Sequence, residues 1–305
     1  MVDKTPIYIG IDAGGSKTEL LAAHEQSDEL LNLFGASGNP ARVGFDGSID
    51  VLSELIFQAT ERLPHGAVTS VCAGVAGAGR ERDQHRIREG IMNELGDRAP
   101  HRLRITHDGD IALEAAFEGR SGIMVIAGTG SVTLARTRDG AFLRAGGWGY
   151  LIGDEGSGYA LGAGGLRALA HAFDGGPDTA ISELLAASRD VATPDDLNEL
   201  VYQKKVPLQK FAPLVIQAAR DGDAIAREIL SRETRGLAQQ VRWLADRCPS
   251  VRPRVALLGG VTNEPTYREA LRDALLEVLP DWKMTEPLNR PVVGAWRMAR
   301  TLSGA

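Results

Sequence analysis

Asp12-Ala13-Gly14-Gly15-Ser16-Lys17-Thr18 packs a carboxylate, two glycines, two hydroxyls and an amine into one short segment. Glycines in a tight turn can present backbone N–H groups to phosphate oxygens. Ser16 and Thr18 add hydroxyl donors and Lys17 adds charge. Asp12 could hold Mg2+ through water, since that ion usually keeps several of its own waters. The segment is not a P-loop: Ser16 stands where that motif has its lysine, and the residues after it read as a strand. It also lacks the GxGxxG spacing of the dinucleotide turn. Taken alone, an ordinary hairpin remains open, with glycines that serve only the turn.

Gly128-Thr129-Gly130-Ser131 repeats the pattern. Sliding the sequence by 115 lays Gly15, Ser16 and Thr18 over Gly130, Ser131 and Thr133, and Ile9 and Ile11 over Met124 and Ile126. Asp12 falls on Ala127, so the acid is kept in one copy only. A duplication at this scale favours two similar lobes. Two such hairpins could clamp one polyphosphate, with one metal on one side.

The elements that must position these turns show as periodicity. Residues 6–12, 18–23, 30–34, 68–75 and 103–106 read as strands, and 49–63, 87–95 and 109–118 as helices. The order is βββαβαβα. Strands then recur over 123–127, 131–136 and 141–145. After residue 157 the chain reads as helices over 157–173, 179–188, 195–202, 208–221, 223–247 and 266–279, with one strand over 255–258. The tail over 291–302 opens with a proline and reads as a closing helix.

At 305 residues the chain is long enough for two domains at roughly 150 residues each. The divisions expected are 1–118, then 119–290 with a helical insertion, then a closing helix over 291–305 that could return to the N-terminal lobe. A net charge of −6 argues against a general nucleic-acid face. No apolar run approaches the ~20 residues that cross a bilayer, and the N-terminus lacks a signal-peptide pattern, so a cytoplasmic protein is expected. Cys72 and Cys248 form no paired motif, which excludes a disulfide scaffold and a multi-cysteine metal site. The six histidines show no metal-ligand spacing.

Together, Asp12–Thr18, Gly128–Ser131 and Gly259-Gly260-Val261 resemble the three nucleotide loops of the actin-like ATPase and sugar-kinase superfamily. Asn39-Pro40, Thr106-His107-Asp108, Gly146-Gly147-Trp148-Gly149 and Gly153-Asp154-Glu155-Gly156-Ser157 bring the resemblance closest to the N-acetylglucosamine kinases of the BadF/BadG/BcrA/BcrD ATPase family. The match spans essentially the whole chain, in the family's order. The resemblance implies an α/β fold of two ribonuclease-H-like lobes around a nucleotide cleft, ATP and Mg2+, an amino-sugar substrate, and a homodimer. Phosphates would lie on Gly14, Gly15, Ser16, Lys17 and Thr18 and on Gly128, Thr129, Gly130 and Ser131, with adenosine near Gly259, Gly260 and Val261. Asp12 would hold the metal through water.

The same resemblance assigns Asp108 as general base for the sugar 6-hydroxyl, a role that suits a carboxylate at a strand end. From the residues alone, Asp108 could equally cap the helix that follows. Asp110 reads as a solvent or cap residue, and His107 as a structural neighbour of Asp108. Asn39, Asp108, Gly147, Trp148, Gly149, Asp154 and Glu155 would contact the sugar. The plain alternatives are that Asn39 is a turn residue, Asp154 or Ser157 caps a helix, and Trp148 is core. Glucosamine or another amino sugar is the nearest alternative substrate. A redox-activating ATPase of acyl-CoA dehydratase or reductase type would need cluster-binding cysteines, and none lies near the second hairpin.

Overall fold

The structure is a computed structural model that describes residues 6–25, 29–63, 68–189 and 191–303. The chain divides into two compact units. Unit 1 runs through Arg120 and resumes at Pro287, and unit 2 is Ser121–Glu286.

Unit 1 contains β1 (Ile7–Ala13), β2 (Thr18–Ala23), β3 (Glu29–Gly35), α1 (Pro40–Arg62), β4 (Val68–Val75), α2 (Glu81–Leu95), β5 (Leu103–His107) and α3 (Asp108–Phe117). Its sheet has the order β3-β2-β1-β4-β5. β1–β2 and β2–β3 pair antiparallel, while β1–β4 and β4–β5 pair parallel. Central strands with parallel neighbours are covered on both faces, so they read as near-continuous apolar runs. On one face Ile7, Ile9 and Ile11 pack with Leu52, Ile56, Ile87 and Ile91. On the other, Tyr8 and Cys72 pack with Ile111. Periodicity places the first helix from residue 49, but α1 starts at Pro40. Gly44, at φ 76°, interrupts it after its first turn and erases the helical period there.

Unit 2 contains β6 (Gly122–Ala127), β7 (Ser131–Arg136), β8 (Phe142–Gly146), α4 (Gly158–Phe173), α5 (Ala180–Arg189), α6 (Pro194–Asn198), α7 (Ala212–Arg220), α8 (Ala224–Arg247), β9 (Arg254–Leu258), α9 (Pro265–Val278) and β10 (Lys283–Thr285). Its sheet reads β8-β7-β6-β9-β10 from the antiparallel edge, which is the order of unit 1. The offset of 115 is therefore a duplication of whole ribonuclease-H-like sheets, and the two-lobed α/β expectation holds. Two expected helices are shorter than their periodicity suggests. A π-helical turn, Glu199–Gln203, follows α6, and a 3-10 turn, Leu208–Phe211, precedes α7. The three-residue β10 has no counterpart in the sequence reading.

The last element, α10 (Pro291–Ser303), belongs to unit 1 and lies on β1, β4 and α3. Its approach is close: a Cβ on Gly10 would come within 2.2 Å of the Trp296 backbone nitrogen. Trp296 is buried and its indole N–H donates to the Ala23 carbonyl at 3.3 Å. The Ser70 hydroxyl donates to the Ala299 carbonyl at 2.6 Å. Among the described residues, no helix is long and apolar enough to cross a membrane.

Candidate functional site

In unit 1 the first hairpin joins β1 to β2. Gly14 N–H closes the turn on the Lys17 carbonyl at 3.0 Å, leaving Ser16 and Lys17 exposed. Arg42 reaches back from the first turn of α1 and donates to the Gly15 carbonyl. The Lys17 ammonium lies 5.3 Å from the Phe34 ring centre. Thr18 differs from the expectation. It is fully buried, and its hydroxyl donates to the Ala36 carbonyl at 2.7 Å, so it braces the turn and presents no donor to a phosphate.

Asp12 and Glu19 are cross-strand partners, which puts both acids on one face of the sheet. Glu19 is buried and accepts from Arg290 at 2.5 Å and from Asn32 at 3.3 Å. Asp12 accepts no hydrogen bond among the described residues. Burial above all, then the charges of Asp108 and Glu19, push its carboxyl up to about 6, and Lys17 only partly offsets them. The influence of Asp108 follows from topology, because β4 has β1 on one side and β5 on the other, and β5 leads directly into Asp108.

Asp108 occupies the first position of α3, and the cap is His107, whose Nδ1 accepts Gly109 N–H at 3.0 Å. The capping alternative for Asp108 thus passes to its neighbour. One Asp108 oxygen accepts Gly109 N–H at 2.9 Å and lies 3.1 Å from His107 Nδ1, and the side chain is 37% exposed. That exposure leaves the carboxylate able to meet a substrate. Asp110 is turned inward and accepts from the Thr106 hydroxyl. Asn39 caps α1 through Oδ1, which accepts Ala41 N–H at 2.8 Å. A Cβ on Gly77 would lie 2.6 Å from that same oxygen, and one on Gly15 would lie 3.8 Å from Nδ2. The hairpin, Asn39 and the loop after β4 therefore form one wall of unit 1.

In unit 2 the second hairpin is tied to a helix start. Gly128 N–H donates to the Gly130 carbonyl at 2.9 Å; Gly158 and Tyr159 N–H groups, at the start of α4, donate to the Gly128 and Thr129 carbonyls at 2.8 and 3.1 Å. Thr129 itself is exposed. Ser131 departs from the phosphate expectation as Thr18 does: it is buried, and its hydroxyl donates to the Glu155 carbonyl at 2.7 Å. Ser157 caps α4, its hydroxyl oxygen accepting Ala160 N–H at 3.1 Å.

Asp154 is buried with a left-handed backbone, φ 64°. Its carboxylate accepts Gly149 N–H at 3.1 Å and also Ser131 N–H. Burial raises its pKa and those N–H groups pull the other way. A Cβ on Gly130 would lie 2.6 Å from Asp154 Oδ2, so this acid sits against the hairpin. Glu155 is exposed, and one of its carboxylate oxygens accepts the Gln240 amide at 2.8 Å. Trp148 is 65% exposed with Arg144 over its ring at 4.7 Å, which removes the core reading.

Gly259 abuts the second hairpin, since a Cβ there would strike the Ala127 carbonyl oxygen at 2.3 Å. Val261 and Gln209 side chains both approach Gly158, at 3.5 and 3.3 Å from where its Cβ would be. Gly128, Gly158, Gln209 and Val261 thus converge in unit 2. Gln209 was missed by the sequence reading, and nothing local marks it out, because its place depends on the 3-10 turn before α7.

Two ribonuclease-H-like units, each opening on a glycine-rich hairpin, make up an actin-like ATPase fold. The chain belongs to the BadF/BadG/BcrA/BcrD ATPase family, whose pattern matches residues 9–299. It is accordingly an ATP-using enzyme. It is 32% identical over 302 residues to the N-acetylmuramic acid/N-acetylglucosamine kinase of Clostridium acetobutylicum, covering 96% of this chain and 98% of that protein. It is 28% identical to the N-acetyl-D-glucosamine kinase of Dictyostelium discoideum, covering 96% and 97%. A Chromobacterium violaceum structure provisionally assigned as an N-acetylglucosamine kinase superposes with a TM-score of 0.73 at 24% identity, covering 96% and 98%. A ROK family glucokinase from Streptomyces griseus, solved with glucose and AMPPNP, shares the fold with a TM-score of 0.60 at 17% identity, covering 97% and 99%.

Proposed function

We propose that this protein is an ATP-dependent sugar kinase that phosphorylates the 6-hydroxyl of N-acetyl-D-glucosamine. The observation that carries the chemistry is Asp108: a half-exposed carboxylate at a strand end, held by His107 and Gly109 and close enough to Asp12 to raise its pKa. Asp108 takes the proton of the 6-hydroxyl while that oxygen forms a bond to the γ-phosphorus of ATP. The bond from phosphorus to the bridging oxygen breaks and ADP leaves. Backbone N–H groups around Gly15 and Ser16 in unit 1, and around Thr129 and Gly130 in unit 2, hold phosphate oxygens. Gly259, Gly260, Val261 and Gln209 flank the adenosine. Asn39 and Trp148 contact the sugar, with Asp154 shaping the loop that carries Trp148. The names of the Clostridium and Dictyostelium relatives support the amino-sugar substrate.

The residues also fit Mg2+. That ion is bound by one or two carboxylates, phosphate oxygens and water, not by an all-protein cage. Asp12 supplies a mostly buried carboxylate that accepts no hydrogen bond among the described residues. The bound ion would neutralise phosphate charge.

The test is ADP release with Mg-ATP and, in parallel, N-acetylglucosamine, glucosamine, glucose, N-acetylmuramic acid and no sugar. The phosphorylated carbon is read by NMR. ADP release that depends on N-acetylglucosamine, with phosphate on carbon 6, is expected. A preference for glucosamine or N-acetylmuramic acid would move the substrate. Release indifferent to sugar would overturn the kinase reading.

A further inference from the structure

Glu155 lies on the 153–158 loop against α8, and its surroundings there are specific. One face of α8 carries Glu233, Gly236, Leu237 and Gln240, at helical spacings of three, one and three residues. All four meet the short segment from Glu155 to Gly156. Glu233 accepts Gly156 N–H at 3.1 Å. Gln240 is buried, donates to the Glu155 carboxylate at 2.8 Å, and accepts from the Thr133 hydroxyl at 3.3 Å. A Cβ on Gly156 would lie 2.3 Å from Leu237 Cδ1. A Cβ on Gly236 would lie 2.8 Å from Glu155 Cβ, so the absent side chain is the notch that admits Glu155. A mid-helix glycine costs roughly 1 kcal/mol relative to alanine, so a contact that needs it is the physical reason for its presence.

The remaining groups of the segment are tied down as well. Tyr267, fully buried on α9, donates to the Gly156 carbonyl at 2.7 Å, and Ser131 donates to the Glu155 carbonyl at 2.7 Å. Both carbonyls of the corner are thus bonded, as is the Gly156 N–H. Its ends reach the working parts of unit 2: Asp154 to the Trp148 loop and to Ser131, and Gly158 to Gly128 of the hairpin.

We propose that Gln240 and Gly236 of α8 are positioning residues for phosphoryl transfer. They act through Glu155 on the corner that registers the Trp148 loop against the second hairpin. Glu155 is then a brace and not a sugar ligand. This inference rests on the sugar-kinase reading.

An exchange of donor and acceptor tests it. Gln240→Glu sets a second carboxylate against Glu155 at nearly constant volume while the Thr133 hydroxyl keeps its acceptor. kcat/KM for sugar and for ATP is expected to fall about tenfold, with KM for both rising. Glu155→Gln alone keeps an acceptor for Gln240 and should stay within about threefold of wild type. The double variant Glu155→Gln/Gln240→Glu restores the bond with its polarity reversed and should recover most of the loss. Gly236→Ala fills the notch and should lower kcat/KM, while the helix preference of alanine offsets part of the stability lost in displacing Glu155. A large loss in Glu155→Gln that the double variant does not recover would make Glu155 a substrate ligand and overturn the inference. Wild-type rates in both Gln240→Glu and Gly236→Ala would do the same. Calorimetric titration with an unhydrolysable ATP analogue is run on every variant. Weaker binding in Gln240→Glu, recovered in the double variant, supports the brace even if the wild type proves indifferent to N-acetylglucosamine, which would defeat the kinase reading alone.

Discussion

The two sheets share one strand order but treat the acid at the hairpin in opposite ways. In unit 1 the acid is Asp12, on the strand itself, partly buried and accepting no hydrogen bond among the described residues. In unit 2 the equivalent position is Ala127, and an acid arrives instead from a loop: Asp154, whose carboxylate is satisfied by two backbone N–H groups. The equivalent threonines show the same split. Thr18 donates to a nearby backbone carbonyl, whereas Thr133 donates to the side chain of Gln240 on α8. The duplicated scaffold thus holds an acid without a hydrogen-bond donor among the described residues in one copy and a hydrogen-bonded acid in the other. Under the proposed function, unit 1 would supply its carboxylates to the chemistry and unit 2 would use its own for geometry.

This contrast can be broken most directly at Asp108. Asp108→Asn should lower kcat by about a thousandfold, the scale of general-base catalysis, while calorimetry finds ATP-analogue affinity nearly unchanged. A comparable loss from Asp154→Asn, which keeps an acceptor for Gly149 N–H, would erase the difference between the units.

Asp12→Asn should lower turnover by about a hundredfold at a fixed Mg2+ concentration and yet stabilise the fold. The sign follows from the raised pKa. Below the unfolded-state value of 3.8 both states are protonated and no penalty exists. As pH rises through about 6, the unfolded carboxyl has ionised while burial still resists ionisation in the folded one, so stability is lost. The asparagine variant should be more stable by about 2–3 kcal/mol at pH 7.5, with the gap closing as pH falls below about 3. Urea unfolding across that range reads the difference, and a pH-independent gap would show that the carboxyl is not the cause.

Smaller effects sharpen the comparison. Trp148→Ala should raise the sugar KM about tenfold with an unchanged melting temperature, because the ring is exposed and supports no core. Thr18→Val should behave in the reverse way, costing about 1–2 kcal/mol in urea titrations through the unpaired Ala36 carbonyl, with the kinetic constants nearly intact.

Much of this architecture was legible because its signals are local. The 115-residue offset between hairpins came from glycine and hydroxyl spacing, and it marked out both sheets. What escaped was set by contacts distant in sequence. β10 is three residues long and carries no alternation that could identify it. The start of α1 had a local signal, Asn39 before Pro40, but Gly44 hid the period that would have confirmed it. Asp12, Asp108, Asn39 and Trp148 could be singled out as candidates from type and place. The hydrogen bonds of Thr18, Ser131 and Glu155 were not legible, because their partners are Ala36, the Glu155 carbonyl and Gln240, and only the folded chain brings those to them.

The return of α10 to unit 1 has a consequence for synthesis on the ribosome. The Ser70–Ala299 hydrogen bond spans 229 positions, and Trp296 fills the face of β1 that Gly10 leaves open. Unit 2 is a continuous segment, Ser121–Glu286, and has all its strands before α10 is made. Unit 1, though begun first, must wait with Tyr8, Cys72 and Ile111 uncovered until residues 291–303 emerge. Vectorial folding therefore runs out of order here: α10, made after unit 2, completes the earlier unit 1, and the nascent chain carries an unfinished apolar sheet while all of unit 2 is made.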